Sequence, residues 1–282
     1  MITMANGLNA SREYKKQLNE LATEVFGFSF GRWQEQGLWD GDFECYSIIE
    51  NGIMLANVSI YWMKLLINGI PKEYLQISTV ATREEHRGKG LSRKLMEYIF
   101  NRYPETPDFL VGNDSVREFY PKFGFTAVID KQPYVECSLQ KQGEMLRLDI
   151  TDPKIDFYLK GRTQYSGIFD CTNRYSINWF HLLYRYPKRI YEIPQLGLML
   201  VAMQDNNILH IMDIAATKPV SFSQLIPQLH FDGVDTIEFG FNPDWLDVDY
   251  HTRDNEMEDS TLFVKGDFEV GTDYILPSMI LA

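Results

Sequence analysis

Apolar side chains recur along the chain with two different periods, which predict strands and helices in a defined order. Residues 11–26 place their apolar positions at helical spacing, so one face of a helix is apolar. Residues 45–50 and 54–66 are predicted strands, and the Asn-Gly pair between them is typical of a tight hairpin turn. Residues 28–39 carry aromatic side chains among polar ones, either as core residues or as the lining of a pocket.

The centre of the first half combines a strand, a glycine-rich joint and a helix. Residues 75–82 alternate small and β-branched side chains, which predicts a strand. Leu91, Leu95 and Ile99 then recur at helical spacing and predict an apolar helix face. Residues 83–90 therefore make a tight turn from the strand into the helix.

This joint has the chemistry of a site for a phosphate-bearing ligand. The first N–H groups of a helix have no partner inside the helix, and the helix dipole is positive at that end. Gly88 and Gly90 let a backbone approach a ligand closely, and Arg87 and Lys89 add positive charge. The joint therefore predicts a cradle for a pyrophosphate. The patterns GxxxxGK(S/T) and GxGxxG of other phosphate-binding loops are absent from the sequence.

The spacing Arg87-x-x-Gly90-x-Ser92 resembles the acetyl-CoA loop of the GNAT acetyltransferases, whose pattern is R/Q-x-x-G-x-G/A. Ser92 departs from the last position of that pattern. It is small enough for close approach, but its hydroxyl can compete for hydrogen bonds at the helix start. The resemblance implies that acetyl-CoA binds here. The loop residues predicted to bind it are Arg87, Gly88, Lys89, Gly90, Leu91 and Ser92.

A second segment resembles the same family. Residues 108–111 are predicted as a short buried strand, and Ser115-x-x-Glu118 has the spacing of a capping box that opens a helix. GNAT enzymes carry a similar Asn…Phe-Tyr-x-x-x-Gly-Phe segment at this distance from the loop. The resemblance implies that Asn113 lies beside the pantetheine arm of acetyl-CoA and that Tyr120 lies near its thioester sulfur.

The reaction that the resemblance implies is attack of a primary amine on the acetyl thioester of acetyl-CoA. An alkylammonium has a pKa of about 10.4, so a base must remove its proton before attack. The carbonyl oxygen gains negative charge, and in this family a backbone N–H of the strand end Val80-Ala81-Thr82 usually stabilises it. Tyr120 is predicted to give the departing thiolate a proton or a hydrogen bond.

The sequence leaves the base open. Glu84 and Glu85 flank the glycine-rich loop on the cofactor side, where we expect them to be solvated. Some two-part GNAT relatives bring a C-terminal carboxylate into the active site, so the carboxylate of Ala282 is a further candidate. The acidic residues near the neighbouring strands, among which no pattern selects, are Asp42, Glu44 and Glu50.

The second half repeats the order strand, strand, short helix, strand of the first. Where the first half has its glycine-rich loop, residues 215–220 contain no glycine, and Pro219 lacks an N–H. We therefore predict an α/β fold with a mixed sheet: a GNAT domain with the acetyl-CoA site over 1–142 and a second domain over 143–282. The second domain is either a degenerate GNAT-like unit or an unrelated α+β domain that walls the acceptor pocket.

Composition excludes several other classes of protein. The net charge of −12 argues against nucleic acid as a partner, because phosphate binding needs a basic surface. The sequence contains no run of about 18 apolar residues, so we expect no membrane span. Three widely spaced cysteines without CxxC spacing favour reduced thiols in a cytoplasm. The five histidines show no HxxxH or HExxH pattern, so no metal is expected.

Two functions follow from the sequence. The first is an acetyltransferase that moves an acetyl group from acetyl-CoA to a primary amine of a small molecule or peptide. The alternative is a non-catalytic module that binds CoA or another ligand with the same fold. The acceptor is not identified by the sequence, and the oligomeric state, a homodimer included, stays open.

Overall fold

The computed structural model describes residues 1–140, 143–256, 259–266, 268, 270, 271 and 273–281. The chain is mixed α/β with two sheets, as the sequence predicts. The helices are α1 (Arg12–Phe26), α2 (Gly31–Glu35), α3 (Leu91–Arg102), α4 (Lys154–Lys160), α5 (Tyr175–Tyr184) and α6 (Phe222–Leu225). No helix among the described residues is long and apolar enough to cross a membrane.

Fifteen strands are present in the described residues. They are β1 (Ile2–Asn6), β2 (Phe43–Glu50), β3 (Ile53–Ile67), β4 (Ile70–Thr82), β5 (Asp108–Gly112), β6 (Thr126–Val128), β7 (Lys131–Leu139), β8 (Leu146–Arg147), β9 (Phe169–Cys171), β10 (Ile190–Ile193), β11 (Leu198–Asp205), β12 (Ile208–Ala216), β13 (Val234–Phe239), β14 (His251–Asp254) and β15 (Thr261–Lys265).

The first sheet has the order β1-β2-β3-β4-β5-β15-β6, with β9 added to one end of β3. Its neighbours are antiparallel except for β4 and β5, which are parallel. The predicted hairpin between β2 and β3 is confirmed: Asn51 and Gly52 both have positive φ, at 52° and 78°. A type I′ turn requires that conformation at both central residues, and Asn-Gly provides it with little strain.

The second sheet repeats the topology of the first. Its order is β14-β7-β13-β12-β11-β10-β8, and its parallel pair is β12 and β13. The series β10-β11-β12-β13-β7-β14 therefore corresponds to β2-β3-β4-β5-β15-β6. The parallel strands are joined by α3 in the first sheet and by the shorter α6 in the second.

The two sheets exchange one strand each. From its place in the chain β7 would end the first sheet, but it lies between β13 and β14 of the second sheet. In return, β15 from the C-terminal region lies between β5 and β6. Strand pattern alone does not specify which edge a strand pairs with, because ladder hydrogen bonds are backbone bonds. The division into domains at residues 142 and 143 stays a prediction.

Apolar packing holds the two halves together. On one face of the first sheet, Leu95 and Ile99 of α3 are fully buried, as predicted, and Met96 is buried beside them. Leu91, the third residue of the predicted apolar face, is half-buried. On the other face, one core contains side chains from both halves, among them Leu21 of α1 and Ile177 of α5. This shared core fixes α5 against the first sheet.

The predicted helix after β5 is absent. The segment instead forms two short 3-10 helices, Asp114–Val116 and Tyr120–Phe123. The Ser115 hydroxyl donates to Asn113 Oδ1 at 2.6 Å rather than capping a helix amide. Pro121 lies inside the segment and has no N–H to continue a helical ladder.

Candidate active site

A gap opens in the first sheet where β4 and β5 diverge. The two strands pair only at Leu75–Asp108 and Gln76–Phe109. Just beyond, β4 is irregular: its register against β3 shifts, and Thr79 has a φ of 45°. A bulge bends a strand and redirects its side chains, so this irregularity turns the end of β4 toward the gap.

A cavity of about 360 Å³ occupies this gap. One wall comes from the end of β4 and another from the end of β5 and the segment after it. The aromatic segment after α1 and the α5 helix form the remaining walls. The residues from the strand ends and just beyond that line the cavity are Ile77, Ser78, Thr79, Val80, Val111, Gly112 and Asn113.

Tyr120 is a buried residue that lines this cavity. The residue is 6% exposed, and its hydroxyl has no hydrogen-bond partner in the described part of the chain. Burial raises the pKa of Tyr120 to about 12, so the phenol is protonated at neutral pH. A Cβ on Gly112 would lie 2.9 Å from Cε2 of Tyr120, so the close approach of the ring requires a glycine there. No sequence motif points to Gly112.

The glycine-rich loop is open to a ligand. Gly88 and Gly90 have φ values of 75° and 74°, and a Cβ on either would have nothing within 4 Å. Gly90 precedes α3 without a side-chain cap, which leaves the first N–H groups of α3 available. The Ser92 hydroxyl bonds to Thr82 Oγ1 at 2.7 Å, so it ties the loop to β4.

The basic side chains of the loop are not neutralised by carboxylates. Arg87 Nε donates to the carbonyl oxygen of Thr82 at 3.4 Å, and Lys89 Nζ lies 3.4 Å from His86 Nδ1. Neither Arg87 nor Lys89 forms an ion pair with a described residue. The loop therefore keeps its positive charge for an anionic ligand.

The structure brings part of the predicted site together. Val80, Asn113 and Tyr120 line one cavity. Ala81 is buried within the sheet, where it pairs with Asn57 of β3, and it does not line the cavity. The predicted loop residues lie outside the cavity, beyond the end of β4. Thr82 connects to that loop through its bond to Ser92.

Ser78 and Thr79 are site residues that sequence reasoning missed. The Ser78 hydroxyl is buried at the cavity and has no hydrogen-bond partner among the described residues. A positive φ at a β-branched residue such as Thr79 has no sequence signature, so the irregularity in β4 was not foreseeable. Buried polar groups are normally paired, and an unpaired one at a cavity is available to a ligand.

His181 of α5 lines the same cavity, although it stands in no recognisable sequence motif. It is 1% exposed, and its Nε2 lies 2.8 Å from the carbonyl oxygen of Leu281. A carbonyl only accepts, so Nε2 carries the hydrogen and Nδ1 is left as an acceptor. Nδ1 has no partner in the described residues. Burial lowers the pKa of His181 to about 3, which keeps the ring neutral.

The C-terminal segment reaches the cavity, and hydrogen bonds to its backbone hold it there. Leu281 lines the cavity, whereas Ala282, the candidate base, lies outside the described residues. Asn178 Nδ2 donates to the carbonyl oxygen of Met279 at 2.7 Å. Asn242 bonds to both the N–H and the carbonyl oxygen of Ile275, each at 2.9 Å.

A buried cluster of charges supports Asn178. Arg174 Nε donates to Asn178 Oδ1 at 3.2 Å, and the guanidinium also bonds to Asp170 and Asp213. Arg162 pairs with Asp213 from the other side. Burial alone would raise the pKa of Asp213, but the two arginines hold it below its usual range. This cluster fixes the start of α5, and hence the orientation of Asn178.

Among the described residues, no three metal-ligating side chains gather into a metal site.

Comparison with known proteins identifies the first half. Residues 9–128 match the family model of the acetyltransferase (GNAT) domain. The first half of the chain is therefore similar to a GNAT acetyltransferase domain. The match covers α1 to β6, and so includes the glycine-rich loop and Tyr120. No curated protein matches the sequence significantly.

Solved structures are similar in fold to nearly the whole chain. A protein from Enterococcus faecalis V583, described as a probable N-acyltransferase, is 13% identical with a TM-score of 0.55; the match covers 94% of this chain and 72% of that one. A GCN5-related N-acetyltransferase from Anabaena variabilis is 14% identical, with the same coverages and TM-score. Eis1 from Mycobacterium abscessus is 13% identical with a TM-score of 0.53, over 93% of this chain and 73% of that one. These likenesses show a shared fold and confirm the predicted fold class.

Proposed function

We propose that this protein is an acetyl-CoA-dependent N-acetyltransferase that acetylates a primary amine of a small molecule or peptide. The observation that carries the proposal is that Tyr120 lines the cavity between β4 and β5 and has a protonated hydroxyl with no hydrogen-bond partner among the described residues. A cavity with an unpaired proton donor suits a reaction in which negative charge develops on a leaving group.

Acetyl-CoA fits the two open features of the first sheet. Its pyrophosphate would bind the free N–H groups at the start of α3, with Arg87 and Lys89 beside it. Gly88 and Gly90 leave room for that approach, because they have no side chain and the space beside them is open to the ligand. Its pantetheine arm would enter the gap between β4 and β5, next to Asn113.

In the proposed reaction a carbon–nitrogen bond forms and the carbon–sulfur bond of the thioester breaks. In this proposal the backbone N–H of Val80, a cavity residue of the predicted strand end, binds the developing oxyanion. Tyr120 donates a hydrogen bond to the departing sulfur. The proton that the ammonium loses balances the proton that the thiolate gains, and the products are an amide and CoA.

We propose the carboxylate of Ala282 as the base. Among the described residues that line the cavity, none is Asp or Glu. Glu84 and Glu85 are exposed, as expected for solvated residues of the loop. Leu281, the residue before Ala282, lines the cavity with its carbonyl oxygen bonded to His181. The position of Leu281 at the cavity is the observation that supports this choice of base.

Calorimetric titration with acetyl-CoA, followed by a thiol-release assay with a pool of amines, tests the proposal. We expect about one binding site per chain and release of CoA that depends on the amine. Binding without amine-dependent release would favour the alternative, a non-catalytic CoA-binding module. Absence of binding would overturn the proposed cofactor.

A further inference from the structure

Aromatic rings form the side of the cavity that faces away from the strand ends. We call Phe28, Phe30, Trp33, Phe43, Tyr61 and Phe180 the aromatic wall. The rings contact each other in sequence: the centroids of Phe28 and Phe30 are 5.0 Å apart, and those of Phe28 and Phe180 are 5.6 Å apart. The wall therefore joins the segment after α1 to α5.

The polar atoms of the aromatic wall are occupied inside the protein. Trp33 Nε1 donates to the carbonyl oxygen of Ser176 at 2.7 Å. The Tyr61 hydroxyl shares a hydrogen bond with the Ser176 hydroxyl, which in turn donates to Asp40 at 2.7 Å. The wall consequently presents hydrocarbon to a ligand, and a flat apolar group would pack on it without leaving these polar atoms unpaired.

The charge at the cavity is opposite to that of the whole chain. Acidic residues outnumber basic ones by 39 to 27 in the sequence. Among the described residues that line the cavity, however, none is acidic, and Arg185 is the one permanently charged side chain. No described carboxylate lies within ion-pair distance of Arg185.

Arg185 and His181 lie four residues apart, at the end of α5 and just after it, so they are neighbours on one side of the segment. His181 is neutral and has a free acceptor, Nδ1, whereas Arg185 offers a planar pair of donors that matches a carboxylate. An uncharged acceptor suits an amine N–H, and the guanidinium suits an anion. Arg185 and His181 can thus bind two different groups of one ligand, an anion and an amine.

We propose that the acceptor is a primary amine that also carries an aromatic ring and a carboxylate. Its ring packs on the aromatic wall, its carboxylate binds Arg185, and its amino group lies toward His181 and Tyr120. This inference rests on the proposed acetyltransferase activity and narrows its substrate class. A polycationic acceptor is disfavoured, because the described lining supplies no carboxylate to pair with the additional ammonium groups.

Two matched pairs of acceptors test the inference: L-phenylalanine against phenethylamine, and 4-(aminomethyl)benzoate against benzylamine. We expect kcat/KM to be at least tenfold higher for the carboxylate member of one pair or both. Spermidine serves as the polycation. Equal or lower values for both carboxylate members, or a preference for spermidine, would overturn the inference.

The substitution Arg185→Gln tests the role of the guanidinium. We expect it to abolish the preference by raising KM for the carboxylate acceptor at least tenfold, while the carboxylate-free partner is unaffected. Arg185→Lys keeps the charge but loses the planar fork, so it should recover part of the preference. Arg189→Gln, an exposed arginine of the same segment that does not line the cavity, is the control.

Failure of this inference differs from failure of the proposed function. If no amine is acetylated, the acetyltransferase proposal itself falls. If amines are acetylated but Arg185→Gln slows all of them equally, Arg185 serves another part of the site and the substrate class proposed here is wrong.

Discussion

The backbone N–H of Ser278 donates a hydrogen bond to the carbonyl oxygen of Gly240 at 2.7 Å. Gly240 directly follows β13, and its own N–H bonds to Ile211 of β12 at 2.8 Å. The C-terminal segment therefore enters the second sheet where its parallel strands end their pairing. The corresponding place in the first sheet, beyond the pairing of β4 and β5, is the cavity. One gap is filled by the chain itself, and the other is open to a ligand.

Gly240→Ala should displace the C-terminal segment. A Cβ there would lie 2.7 Å from the Ser278 hydroxyl oxygen and 3.1 Å from two backbone atoms of Met212. The hydroxyl can rotate away but the backbone cannot, so we expect a loss of about 1–3 kcal/mol in unfolding free energy. We also expect faster proteolysis of residues 274–281. Gly271→Ala is the control, since its Cβ would meet nothing within 4 Å. Equal stability of the two variants would contradict this packing argument.

Gly90→Glu should abolish acetyl-CoA binding. The substitution puts a carboxylate beside the expected pyrophosphate and strains a residue with a φ of 74°. Gly69→Glu, in the turn between β3 and β4, is a matched control because its φ is 73° and its surroundings are equally open. Calorimetry should show at least a hundredfold weaker acetyl-CoA binding for Gly90→Glu and normal binding for the control. Retained affinity in Gly90→Glu would place the cradle elsewhere.

Tyr120→Phe should slow acetyl transfer by about a hundredfold while acetyl-CoA binds as before. The substitution removes the hydroxyl but keeps the ring that packs on Phe263, so the fold is preserved. Tyr98→Phe, at a partly exposed ring of α3, controls for the loss of a phenol. Single-turnover rates and calorimetry separate the two effects. Wild-type rates in Tyr120→Phe would remove the residue from the mechanism.

Local chemistry explains why part of the site was predictable from the sequence. The loop around Gly88 and Gly90 consists of a strand end, two glycines and a helix start within about twenty residues. Each of these local elements has a recognisable sequence pattern. Tyr120 was predicted through its family resemblance, although the helix expected around it is absent. The predicted site residues are therefore those that stand in local sequence patterns, whereas Ser78 and Thr79 stand in none.

Tertiary contacts explain what the sequence did not predict. The exchange of β7 and β15 depends on strand pairings across more than a hundred residues, such as Val111 with Leu262, and any strand edge offers the same backbone groups. His181 and Arg185 reach the cavity because α5 packs against the first sheet. Neither residue stands in a recognisable motif, so only the folded chain shows them at the site.

Extending the chain beyond Ala282 should abolish turnover but not acetyl-CoA binding. Leu281 lines the cavity, so added residues would shift the candidate carboxylate away from the amine and would crowd the cavity. The same residues added before Met1, which is fully exposed, provide the control. The comparison uses amine-dependent thiol release and calorimetry on both extended proteins. Unchanged turnover after the C-terminal extension would exclude the carboxylate of Ala282 as the base.

His181 should make the protein less stable in acid. Its pKa is lowered to about 3 in the folded state by burial, from 6.5, so between these values the unfolded chain binds a proton that the folded chain does not. Stability from this residue is therefore complete above about pH 6.5 and is lost as the pH falls.

His181→Gln should reduce this acid sensitivity, because glutamine does not titrate and its Nε2 can still donate to Leu281. We expect the midpoint of thermal unfolding to fall less between pH 7 and pH 4.5 in His181→Gln than in the wild type. His251→Gln, at an exposed position of β14, should follow the wild type. Parallel pH curves for His181→Gln and the wild type would mean that His181 does not stay neutral, and Nδ1 would then be no acceptor for the amine.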